Sequence, residues 1–190
     1  MLFFRKKMEF PPRIAEIWQE SVAFHGRPCR TLAVGVRACD TALSHLGLDR
    51  AVQMRLVCVT ESSSCCVDAL QVGLRCTTGT KHLLFYRTGR LIFTVYDLQT
   101  GNSVRMLCKL DLTGEDIPIR DILTMPEADL FDFEDAHPLT TRVLNKISRA
   151  CAASTKNVPP RFSGVQDSPD AFRQFDTQNS DLGLPRRPRS

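Results

Sequence analysis

The sequence predicts an α+β fold: N-terminal helices, one strand–helix unit, an antiparallel β-meander and closing helices. Three observations carry that reading. Apolar residues recur at helical spacing over residues 13–48, and a β-branched, apolar run follows at 52–61. Three segments between 82 and 110 then alternate with period two around glycine-containing turns.

The first helix is "RIAEIWQESVAFHG", with Ile14, Ile17, Trp18 and Val22 on one stripe, Pro12 in its first turn, and Gly26 and Pro28 to end it. The second is "RTLAVGVRACDTALSHLGL". Its stripe is Leu32, Val36, Cys39, Leu43 and Leu46, its small face is Gly35, Ala38 and Ala42, and Gly47 is its C-terminal cap. "VQMRLVCVTE" reads as a buried strand. "SSSCCVDALQVGLR" reads as a helix capped by serine and carrying Val67, Leu70 and Leu74.

A loop, "CTTGTK", leads into the meander of "HLLFYR", "RLIFTVYDL" and "SVRMLCKL", with turns at "TG" and "TGN". "IPIRDILTMPEADLFDF" is one or two short helices, and "TTRVLNKISRACAAS" is another. From residue 159 the composition turns to Pro, Asp, Ser, Gln and Arg. The expected organisation is a core over 1–158 and a flexible polar tail over 159–190.

Composition narrows the function. The chain has 190 residues, 43% hydrophobic and 24% charged, as a globular domain does. Its net charge of +4 owes much to Arg5-Lys6-Lys7 at one end and Arg186-Arg187-Arg189 at the other, which argues against a nucleic-acid-binding face. No apolar run approaches the ~20 residues of a membrane span. The apolar start of the N-terminus is too short for a secretory signal and precedes its charges, so the cytoplasm is the expected location. Eight cysteines in a cytosolic chain point to thiols, metal ligands or small buried hydrophobes rather than disulfides.

Within "FHGRPCRT", His25 and Cys29 stand four positions apart around a glycine and a proline, and these two residue types readily share a transition metal. Cys65 sits where the third helix should begin, and the positive end of a helix favours a thiolate. Asp68 shares its face one turn on, as a fourth ligand or as a group that orients one. Glu61, at a strand end, suits a site or solvent equally. Cys76 lies beyond the far end of the same helix. Cys39, Cys58, Cys108 and Cys151 fall on apolar stripes and read as core. His45, His82 and His137 read as surface or internally satisfied histidines. No phosphate-binding loop, nucleophile elbow or metalloprotease motif is present, so no catalytic constellation emerges.

The order of these pieces resembles the FmdE family, which takes its name from formylmethanofuran dehydrogenase. That family shows HGHxCPG leading into a helix, then a strand ending in Glu and a Cys-x-Val-Asp-Ala-Ile-Gln segment. A Gly-Cys-Thr-x-Gly-Lys loop and a late Gly-x-x-Val-Arg follow. His25, Gly26 and Cys29 match the first motif; Glu61, Cys65, Val67, Asp68, Ala69 and Gln71 the second; Cys76, Thr77 and Gly79 the third; Gly101, Val104 and Arg105 the last. The match spans roughly residues 20 to 107.

The resemblance implies an α+β core forming an intertwined homodimer, with His25, Cys29 and Cys65 as ligands of zinc or another divalent transition metal. It also implies a context of one-carbon metabolism and association with a molybdenum or tungsten oxidoreductase. Some members carry a C-terminal zinc finger; the absence of cysteine after Cys151 predicts a core-only protein. Four positions depart from the pattern. Arg27 replaces the second histidine, Arg30-Thr31 the Pro-Gly pair and Arg75 a glycine, while Thr80 stands at the loop lysine with Lys81 beside it. A guanidinium repels a dication, so Arg27 must point away or mark a site that holds no metal. The leading expectation is a metal-binding accessory protein. Two alternatives stand beside it. One is a metal-free carrier or sensor taking an anionic small molecule through Arg27, Arg30 and Arg75. The other is a redox protein using Cys29 and Cys65 as a thiol pair.

Overall fold

The structure is a computed structural model that describes residues 10–51, 54–114 and 116–139, together with residue 145. The expected closing helix at 140–154, the boundary at 158, the polar tail, Cys151 and the basic termini lie outside the described residues.

Helix α1 (Pro12–His25) opens with proline, whose missing N–H is no loss in a first turn. It buries Ile14, Ile17, Trp18 and Ser21. Gly26 closes it with φ 86°, a left-handed conformation that a side chain would strain. Helix α2 (Arg30–His45) is the core's axis, with Leu32, Val36, Cys39 and Leu43 fully buried. Beyond it, Leu48 N–H donates to Leu43 O at 2.8 Å across Gly47, the expected glycine cap. Strand β1 (Leu56–Thr60) is buried throughout.

Helix α3 (Cys66–Gly73) buries Cys66, Ala69, Leu70 and Gly73. The expected serine cap does not form. Cys65 holds the N-cap position with no side-chain cap bond, and Ser62 and Ser64 bond each other at 2.8 Å instead. The small face predicted on α2 receives α3: a Cβ on Gly35 would lie 2.6 Å from Cys66 O and 2.9 Å from Ala69 Cβ.

Strands β2 (Leu83–Phe85), β3 (Ile92–Asp97) and β4 (Ser103–Cys108) follow, then helices α4 (Ile119–Thr124) and α5 (Glu127–Leu130) and strand β5 (Phe131–Glu134). The sheet order is β2-β1-β3-β4-β5. The α+β class stands, with one correction to the meander. β2 pairs parallel with β1, not antiparallel with β3, and β1 lies between them. The "TG" turn is therefore no hairpin. It straps the end of β1, where Thr88 and Gly89 N–H both donate to Glu61 O. The physical reason is burial. β1 is apolar on both faces and takes the centre, whereas β2 is half-exposed and suits an edge.

A second correction concerns "FDF", read as helical but forming β5 against β4. The helix before it stops after four residues because Phe131 must enter the core while Phe133 stacks on His45, 4.7 Å between ring centroids. The buried Arg37 ties α2 to the end of α4, its Nη1 donating to Ile122 O and Met125 O. No helix among the described residues is long and apolar enough to cross a membrane.

Candidate metal centre

Three helix ends meet at one corner of the fold. His25 is the last residue of α1, and the left-handed Gly26 turns the chain so that Cys29 can begin α2 only four residues later. Close packing at Gly35 brings in the start of α3 with Cys65. One donor atom from each of His25, Cys29 and Cys65 lies within 4.8 Å of the other two. His25 Nε2 is 3.8 Å from Cys29 Sγ. A tetrahedral ion with ordinary Zn–S and Zn–N bonds would separate those donors by about 3.6 Å.

The imidazole is oriented for this. His25 Nδ1 lies 2.7 Å from Asp68 Oδ2. A carboxylate only accepts, so Nδ1–H donates and the Nε2 lone pair is left facing the sulfurs. Cys29 Sγ accepts from Leu32 N at 3.4 Å as the N-cap of α2. Two helix N-termini thus stand behind the two sulfurs, a favourable setting for negative charge.

The Cys65 thiol is nevertheless pushed up, not down as its helix-start position suggested. Burial is the main cause, and the adjacent Cys29 adds to it by hydrogen bonding and charge, with Arg27 opposing. Two thiolates side by side repel each other and lose hydration, which outweighs one helix end. A cation between them would reverse that balance, since a coordinated thiol is held deprotonated. Soft sulfur and imidazole donors, near-tetrahedral spacing and a fixed tautomer together fit a zinc-like ion.

The sulfurs also form part of the wall of a cavity of about 500 Å³. Arg27 and Arg30 line the same wall, and Leu112, Ile117 and Ile119 join them from a later stretch of the chain. Arg27 is exposed and has no ion pair among the described residues, while Arg30 Nη1 lies 3.4 Å from Asp116 Oδ1. Arg27 is thus neither remote from the sulfurs nor wedged between them.

The remaining predicted residues fall elsewhere. Glu61 is buried and answered by Arg105 Nη2 at 2.7 Å and Thr88 Oγ1 at 2.8 Å, so it fits neither a solvated nor a ligating role. Arg75 reaches Glu20 at 3.5 Å and does not line the cavity with Arg27 and Arg30. Cys76 is buried with its Sγ–H donating to Leu56 O. Thr77 and Thr80 bond each other in the loop, where Gly79 and Lys81 are exposed. His45 meets Glu127 at 2.7 Å, and His82 is buried against Thr80 O. Cys39 and Cys58 are core residues, and the seven described cysteines are all free. The cavity wall at 112–119 escaped the sequence reading, having no motif; only its apolar residues among turn formers hinted at it.

The pattern of the family described as "FmdE, Molybdenum formylmethanofuran dehydrogenase operon" matches residues 24–132. A probable S-adenosyl-L-methionine-binding protein of Archaeoglobus fulgidus is 29% identical over 87 residues. The match covers 44% of this chain but 24% of that protein, so this chain spans only about a quarter of that relative. The crystal structure of an FmdE-like protein of tungsten formylmethanofuran dehydrogenase, from Syntrophus aciditrophicus, superposes with a TM-score of 0.53 at 18% identity. The superposition covers 90% of this chain and 95% of that one. At that identity the likeness is one of fold.

Proposed function

Since this chain belongs to the FmdE family, we propose that it is a metal-binding accessory protein whose ion is held by His25, Cys29 and Cys65. The observation that carries the reading is the convergence of three soft donors from three helix ends within 4.8 Å, with Asp68 fixing the imidazole. Zinc is the expected ion, because two thiolates and an imidazole suit a borderline-soft dication. Three protein donors leave one coordination position for a small ligand. Asp68 serves to orient His25 rather than to bind metal, and Glu61 holds the end of β1.

Association with a molybdenum or tungsten formylmethanofuran dehydrogenase is part of the proposal, supported by the operon named in the family's description. So are a cytoplasmic location and a homodimer, the latter tested by sedimentation. The first experiment is elemental analysis of untagged protein beside Cys29→Ser and Cys65→Ser. Near-stoichiometric metal that falls in both variants is expected. A folded, metal-free wild type overturns the reading.

A second reading rests on the cavity itself: a metal-free carrier that binds an anion through Arg27 and Arg30. A thermal shift with anionic ligands that survives chelation would favour it over the first. The thiol-redox alternative is weaker, because burial holds Cys65 toward the unreactive thiol.

A further inference from the structure

We infer that the cavity beside the metal centre takes an aliphatic monocarboxylate, whose oxygen completes the ion's coordination while Arg27 balances its charge. The inference rests on the proposed metal centre and names the ligand class of its open position. Its starting point is one wall that combines both candidate sulfur ligands with two guanidinium groups. His25 is not part of that wall, so the ion would present its free position on the cavity side, among the sulfurs.

The charges select the ligand. Two thiolates cancel a divalent ion, and Asp116 offsets Arg30 at 3.4 Å. The charge left on the wall is that of Arg27, which is exposed and unpaired among the described residues. One uncompensated cation suits one negative charge, and a guanidinium fork matches a carboxylate. The rest of the lining is apolar through Pro28, Leu112, Ile117 and Ile119, which favours an alkyl body over a sugar or polyphosphate. A volume of about 500 Å³ has room for such a molecule. Arg27 thereby finds a purpose at a position where the family motif carries a histidine: a charge beside the ion instead of another neutral base.

The test uses cobalt as the ion, because its visible bands report coordination number, and hexanoate as the probe with hexanamide as its uncharged isostere. In cobalt-loaded protein, hexanoate is expected to shift the bands saturably while hexanamide does not. Arg27→Gln should keep full cobalt content yet weaken hexanoate at least roughly tenfold, the loss of a charge-assisted contact. Calorimetry on metal-stripped protein should detect no hexanoate binding. If no cobalt loads, the metal centre fails and this inference falls with it. If cobalt loads but hexanoate leaves the bands unchanged, or binds Arg27→Gln as tightly, the metal centre stands and the carboxylate site is overturned.

Discussion

Glu61 and Cys65 are four residues apart at the end of one strand, yet they occupy opposite electrostatic situations. Glu61 is saturated. Arg105 and Thr88 donate to its two oxygens, and Arg105 in turn donates to Thr94 Oγ1 and Glu134 Oε2. Cys65 faces a second thiol and an imidazole with no fixed cation between them. Every charge in the first region has a protein partner, so that region ties strands β1, β4 and β5 together. The second region is a set of donors without an acceptor, which is the signature of a site that is completed from outside. Equal prominence in a motif therefore conceals two different physical roles.

The comparison breaks most readily from the saturated side. Arg105→Ala strands a buried carboxylate and should cost about 3–5 kcal/mol in urea unfolding, while metal bound per folded chain stays at the wild-type value. Loss of metal with unchanged stability would mean that Glu61 belongs to the site. Next in size, Gly35→Ala drives a methyl into Cys66 O and should cost about 1–3 kcal/mol. Because it pushes α3 from α2, it should also weaken metal binding, which Arg105→Ala should not. Asp68→Asn sharpens the other side. It should lower metal affinity about 10- to 100-fold in a chelator competition with little change in unfolding.

The smallest effect concerns a second saturated carboxylate. Burial pushes Asp97 up, but Arg55 with Gln99 N–H and Thr100 Oγ1 outweighs it and holds the group below its usual value. A depressed folded pKa stabilises the protein above the unfolded value of ~3.9, and the gain is lost as pH falls through the folded pKa. The stability gap between wild type and Asp97→Asn should therefore be widest near neutrality and close below about pH 4. A gap independent of pH would assign the loss to packing alone.

Much of the candidate site was legible because it is local. His25 and Cys29 are neighbours in sequence, and Gly35 on a small helical face announced a close approach. That the partner in that approach is α3, carrying Cys65, depends on contacts between segments some 30 residues apart; only the resemblance suggested it. The helices were legible from their stripes. The parallel pairing of β2 was not, since alternation gives a strand its faces but not its neighbours. β5 was missed because four residues following a short helix contain too little periodicity to separate the two states. Arg105 was legible as a motif residue, but its partner was not, because ion pairs across a sheet leave no spacing rule.

Cys29 carries a consequence for anyone who substitutes it. One sulfur both caps α2, through Leu32 N–H, and faces the ligand cluster. Serine keeps a capping atom and removes only the soft donor, whereas alanine removes both, at a cost of about 1 kcal/mol for the cap alone. An alanine scan would therefore overstate how much of the fold's stability the ion supplies. The difference between the serine and alanine variants at this one position measures the helix's share.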